Sequence, residues 1–187
     1  MAKATKKSVE ISLVSVELTG LPERKLLVSR NLGSVDLIWP RTGTARKTAA
    51  REMRFKKGKA DFTAEPWAKR ILYREEIEDH CGIAVSITEP LSVQKLRKLA
   101  KLTAKLILKE GADMIQAAVV GYGDIACAPI DALATMVGES DAPKSIAQGV
   151  IDFTSLPAEG EEVLVKIPLS RPTLETACGT ATLSVRG

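Results

Sequence analysis

The segment Pro90–Gly111, PLSVQKLRKLAKLTAKLILKEG, constrains this chain more than any other stretch. Leu96, Leu99, Leu102 or Thr103, Leu106 and Ile107 recur at three- and four-residue spacing, which places them on one stripe of an α-helix. Lys98, Lys101, Lys105 and Lys109 keep the same spacing on another face. Ser92 can accept a backbone N–H at the start, Pro90 stands just before it, and Gly111 supplies the residue that ends the helix. The reading is an amphipathic helix over residues 92–110, too short and too charged to cross a membrane. Its lysine face could lie on an anionic membrane or track nucleic-acid phosphates. The plainer alternative packs the leucines on a sheet and leaves the lysines solvated. The lack of an aromatic anchor on the apolar face favours that alternative.

Around this helix the pattern has a period of two. Val9, Ile11 and Leu13 alternate, then Val14, Val16 and Leu18 alternate on the opposite parity, as a strand with a bulge near Leu13–Val14 would require. Strands are predicted over Lys25–Ser29 and Ser34–Trp39, with a hairpin at Asn31–Gly33, and again over Ile71–Ile77 and Gly82–Thr88. Further strands are expected over Ser145–Phe153, around Val163, Val165, Ile167 and Leu169, and over Leu174–Arg186. A short helix is expected at Ile130–Val137, while Ala112–Val120 fits helix and strand equally. Strands at both ends flanking the helices argue for one domain over residues 1–187, with a polar leader at 1–8.

Two charged segments stand out. Within a loop at 40–60, Arg41, Arg46, Lys47, Arg51, Arg54, Lys56, Lys57 and Lys59 face a single acid, Glu52. With Lys98, Lys101 and Lys105 of the helix they form a candidate surface for an anionic partner. Glu75, Glu76, Glu78 and Asp79 form an acidic cluster that could answer this loop within the molecule or on a neighbouring copy. The net charge of +4 permits an acidic partner without demanding one. Hydrophobic residues at 45% and charged residues at 27% describe a chain able to bury a core.

Nothing in the sequence carries a catalytic signature. His80 and Cys81 are adjacent and would point to opposite faces of a strand, so a thiol–imidazole pair would need Cys127 or Cys178. The three cysteines lack zinc-ligand spacing and read as free thiols of a reducing, cytoplasmic compartment. Gly121-Tyr122-Gly123-Asp124 matches neither phosphate-loop pattern, and no calcium-loop aspartate series occurs. No cofactor or metal is expected.

The opening strand ISLVSVELTG, the closing strand TATLSVRG and the helical insertion together resemble the synaptotagmin-type calcium- and lipid-binding β-sandwich. The clustered aspartates of that family's calcium loops have no counterpart here, so the resemblance implies calcium-independent docking of a sandwich to anionic surfaces. The expected fold is α+β, mainly β: an antiparallel sandwich with one long amphipathic helix and one or two short helices. The expected function is a non-enzymatic structural or interaction protein that self-associates through complementary charged segments. The alternative is a binding module for an anionic lipid surface or nucleic acid.

Overall fold

The first strand, β1 (Lys6–Leu18), is paired on both edges and sets the plan of the sheet. The computed structural model describes residues 6–20, 29–39, 45–78, 81–92, 94–95, 144–153, 155–172, 174 and 176–187. Val9, Ile11 and Leu13 of β1 are buried, the register slips between Leu13 and Ser15, and Val16 and Leu18 continue the buried row. The slip is the bulge that the parity switch predicts. One extra residue returns the apolar side chains to the same face.

The remaining strands are β2 (Ser29–Trp39), β3 (Ala45–Phe55), β4 (Lys59–Asp61), β5 (Ile71–Glu78), β6 (Cys81–Pro90), β7 (Ser145–Phe153), β8 (Glu162–Ser170) and β9 (Ala177–Arg186), with a four-residue helix, α1 (Trp67–Arg70), before β5. All pairings are antiparallel, in the order β3-β2-β6-β7-β8-β9-β1-β4, and β5 also pairs with β1. Strands β4 and β5 lie end to end along one edge of β1, beside Ser15–Glu17 and Lys6–Ser12. Between them the Phe62 N–H donates to the Val14 carbonyl at 3.0 Å before the chain leaves the sheet to form α1. The result is one nearly closed, barrel-like sheet. Its last join is the β3–β4 hairpin, where Lys56 and Lys59 exchange backbone hydrogen bonds at 2.9 and 3.2 Å. Lys57 (φ 52°) and Gly58 (φ 75°) both take the left-handed backbone that a two-residue type I′ turn requires.

The interior is filled with side chains. Ile11, Leu13, Leu37, Met53, Ile167 and Leu183 are fully buried, each contributing about 1.5–3 kcal/mol of transfer free energy. Tyr73 of β5 spans the barrel, its hydroxyl donating to the Val35 carbonyl of β2. Arg51 is the exception in the inward row Ala49, Arg51, Met53 and Phe55. Its guanidinium reaches both carboxylate oxygens of Glu65 and the Lys69 carbonyl, which ties the 62–70 excursion to β3.

Three expectations are corrected. The α+β sandwich with a long helix gives way to a single curved sheet, and no helix of seven or more residues occurs among the described residues. At the start of the expected 92–110 helix, Ser92 Oγ accepts the Lys95 N–H at 3.2 Å. Residues 96–110, the Ile130–Val137 helix and the 112–120 segment lie outside the described residues. Sandwich and barrel have the same inward alternation and differ in which strand edges pair, a property that period-two patterning does not encode.

The hairpin at Asn31–Gly33 is likewise replaced, because β2 runs unbroken through both residues. Asn31 Nδ2 donates to the Thr88 carbonyl of β6 at 2.7 Å, where the β2–β6 register shifts. Gly33 makes room for Met53: a Cβ there would lie 2.1 Å from the Met53 Cε. Finally, most of the 40–60 loop is strand, with β3 paired to β2 over its whole length. Among the described residues no helix is long and apolar enough to cross a membrane.

Candidate functional site

Among neighbours in the strand order, β7 and β8 share the shortest ladder. Their ladder is reduced to one registered pair, Gln148 with Ser170. Local sequence explains the separation. A Cβ on Gly149 would sit 2.2 Å from the Pro168 carbonyl oxygen, so only glycine lets the strands meet there. The Pro168 carbonyl therefore faces β7, and proline has no N–H to extend the ladder. Backbone groups repeat with period two, so the N–H and C=O groups of Glu162, Leu164 and Lys166 face the same edge. Beyond Ser170 no described strand pairs with that edge of β8.

Side chains mark this edge as an exposed apolar one. Leu164 is 62% exposed, Val163 38% and Val150 of β7 64%, while Ile151 and Phe153 are only half-buried. Glu162, Leu164 and Lys166 share the outer face of β8, opposite the buried row Val165, Ile167 and Leu169.

A row of alternating charge crosses the outer face and ends at this edge. Register sets Arg74 of β5 beside Glu10 of β1, Glu10 beside Arg186 of β9, and Arg186 beside Glu162 of β8. Arg74 Nε meets Glu10 Oε2 at 2.6 Å and Arg186 Nη2 meets Glu162 Oε2 at 2.7 Å. The Glu162 carboxyl titrates below the ordinary range, first because the Ser184 hydroxyl donates to it at 2.5 Å and then because of Arg186. Arg186 is correspondingly raised, mainly by its bond to Glu162. Above the row, the Trp67 ring has Arg70 at 4.8 Å and Arg186 at 4.9 Å from its centroid, which fastens α1 to the sheet.

Several cations of the 40–60 segment have acids close by. Arg51 is paired with Glu65, Arg54 and Arg30 with Glu52, and Lys59 with Glu17 and Asp61. Lys59 is held above its usual pKa, first by its bond to Glu17, and Asp61 below its own, first by the Thr63 hydroxyl. Lys56 and Lys57 are exposed at the hairpin tip. Arg46 and Lys47 lie on β3, opposite Ile38 and Leu37 of β2. Arg41, Lys98, Lys101, Lys105 and Asp79 lie outside the described residues. In the acidic segment Glu75 is half-buried beside Val9, Glu76 is exposed beside Ser8, and Glu78 stands opposite Lys6.

A concavity opens at the end of the barrel where β1 and β6 finish. About 370 Å³ in volume, it is lined by Leu18, Pro90, Ile146, Ala147, Pro172 and Cys178, with Thr19, Gly20, Ser145 and Arg171 at its margin. Burial pushes the Cys178 thiol up in pKa, opposed by the positive charge of Arg171. Cys81, a buried cysteine, begins β6 at the opposite end of that strand. His80 and Cys127 lie outside the described residues. Sequence reasoning identified the inward alternation of β8 but missed its outer face and the barrel mouth. The signal for the edge was present as Glu162-x-Leu164-x-Lys166 followed by Pro168, whereas the mouth is assembled from five separate parts of the chain. No family model matches the chain, and no curated protein gives a significant match to it.

Proposed function

We propose that this protein is a non-enzymatic interaction protein that self-associates, the β8 edge of one copy adding antiparallel to the β8 edge of another. The observation that carries the reading is the outer-face order Glu162, Leu164, Lys166 on an edge without a described strand partner. An antiparallel pair centred on Leu164 is self-complementary: Leu164 meets Leu164, and each Glu162 meets the other copy's Lys166. That is the isologous geometry of a two-fold dimer. It continues the row Arg74, Glu10, Arg186, Glu162 with a cation at the position where alternation calls for one. Covering Leu164 and Val163 also removes exposed apolar surface, which monomeric proteins keep small.

Size-exclusion chromatography with light scattering tests the reading. The chain should elute as a dimer, and Lys166→Glu, which sets like charges opposite each other, should yield a folded monomer. Mild oxidation of Leu164→Cys should form a disulfide across the axis, because directly paired antiparallel residues bring Cα atoms to about 5.5 Å. A monomer at all concentrations overturns the proposal. A dimer indifferent to Lys166→Glu and uncrosslinked in Leu164→Cys places the interface elsewhere. A monomer that carries salt-labile nucleic acid favours the anionic-partner alternative.

A further inference from the structure

The barrel mouth has the size and lining of a ligand site, and it is independent of the β8 edge. Its volume of about 370 Å³ lies within the range of small-molecule pockets, about 300–1,000 Å³. The wall is made of aliphatic and proline side chains from the ends of β1, β6 and β7 and from the 171–178 segment. No carboxylate is among the described lining residues, and Arg171 makes no ion pair with any described acid. Its position is set by backbone bonds: the Arg171 N–H donates to the Thr176 carbonyl at 3.0 Å and its own carbonyl accepts from Leu174 at 3.3 Å. The guanidinium lies against Gly20, in left-handed backbone (φ 73°), where an added Cβ would approach Nη2 to 2.8 Å. The Thr19 N–H donates to the Cys178 carbonyl at 2.7 Å, which fixes the adjoining wall.

We infer that the barrel mouth binds a small amphipathic carboxylate, its alkyl chain against Leu18, Ile146, Ala147 and Pro172 and its carboxylate on the Arg171 guanidinium. An apolar chamber with Arg171 as the cation among its described lining residues selects an anion-headed apolar molecule over a polar anion or an uncharged hydrocarbon. The guanidinium gives the carboxylate a two-pronged partner, and the wall supplies the hydrophobic term.

The test uses octanoate and octanol as probes, each competing with a fluorescent fatty-carboxylate analogue on the full chain. Octanoate should displace the analogue about tenfold more effectively than octanol, as expected of a charge-assisted hydrogen bond. Arg171→Ala should remove that preference and leave octanol unchanged, while Ala147→Phe should abolish binding of both by filling the chamber. A measurement on the unaltered chain guards against misfolded variants. Octanoate should slow modification of Cys178 by an uncharged thiol reagent, read by peptide mass mapping. Failure of octanoate to compete or to protect Cys178 overturns the inference, and so does equal binding of octanol and octanoate.

Discussion

Arg51 Nη2 donates to both carboxylate oxygens of Glu65, at 2.8 and 3.0 Å, in a pair whose guanidinium side chain is 4% exposed and whose carboxylate side chain is 34%. The guanidinium also stands 4.1 Å from the centroid of the Phe62 ring, and its Nε has no hydrogen-bond partner among the described residues. A buried cation with one good partner is costly to strand and cheap to replace. Glu65→Ala should destabilise the fold by about 3 kcal/mol, the low end for breaking a buried pair because Glu65 is partly solvated. Arg51→Met, which removes the charge and keeps the volume, should cost less than about 1 kcal/mol. Urea unfolding of the two variants checks the ordering, and equal losses would contradict it.

Gly33 and Met53 share one volume inside the barrel, since a Cβ on Gly33 would fall within 2.1 Å of the Met53 side chain. Gly33→Ala should cost about 1–3 kcal/mol by overpacking. In a Met53→Ala background the same substitution should cost much less, because the space is already vacated. Denaturant melts of the four proteins give a coupling energy, and strict additivity would refute the shared volume.

The turn that closes the barrel requires left-handed backbone at Lys57 and Gly58. Gly58→Ala should lower Tm by several degrees, because the Cβ would be strained and would lie 2.6 Å from the Leu18 carbonyl oxygen. Lys57→Asn should instead stabilise by about 0.5 kcal/mol, since asparagine tolerates the left-handed region better than lysine. Thermal melts followed by circular dichroism decide both directions.

Asp61 of β4 titrates below its ordinary value, first because the Thr63 hydroxyl donates to it at 2.6 Å and then because of the Thr63 N–H at 2.9 Å. A carboxyl with a depressed folded pKa adds stability above its unfolded pKa and loses it as pH falls through the folded value. The contribution of Asp61 is therefore complete above the ordinary carboxylate range and disappears in more acid solution. Thr63→Val should raise the Asp61 pKa toward the ordinary range, as read by a carboxyl-carbon NMR titration. It should also move the acid loss of stability to higher pH. An unchanged pKa would assign the depression to another cause.

The extended character of β1, β8 and β9, the β1 bulge and the inward rows of β8 and β9 are determined by the sequence alone. Val163, Val165, Ile167 and Leu169 must share a face once the segment is extended, and the parity switch at Leu13–Val14 can be reconciled with one buried face only by an extra residue. The alternation of Ala49, Met53 and Phe55 was hidden because Arg51 occupies an inward position that charge alone assigns to solvent, and its acceptors, Glu65 and the Lys69 carbonyl, appear only after the 62–70 excursion has folded over it. Gly33 likewise read as a turn because the sequence contains no record of the Met53 side chain across the barrel. Closure itself is a tertiary outcome. Whether two apolar sheet faces make a sandwich or a barrel depends on which edges meet, and edges are backbone groups common to every residue except proline. The tertiary structure therefore decided that Arg51, Arg30 and Lys59 find acids on neighbouring elements, that the mouth gathers Arg171 and Cys178, and that β8 has an edge without a partner among the described strands. The chain's own side chains dictate the faces, and long-range pairing dictates the edges.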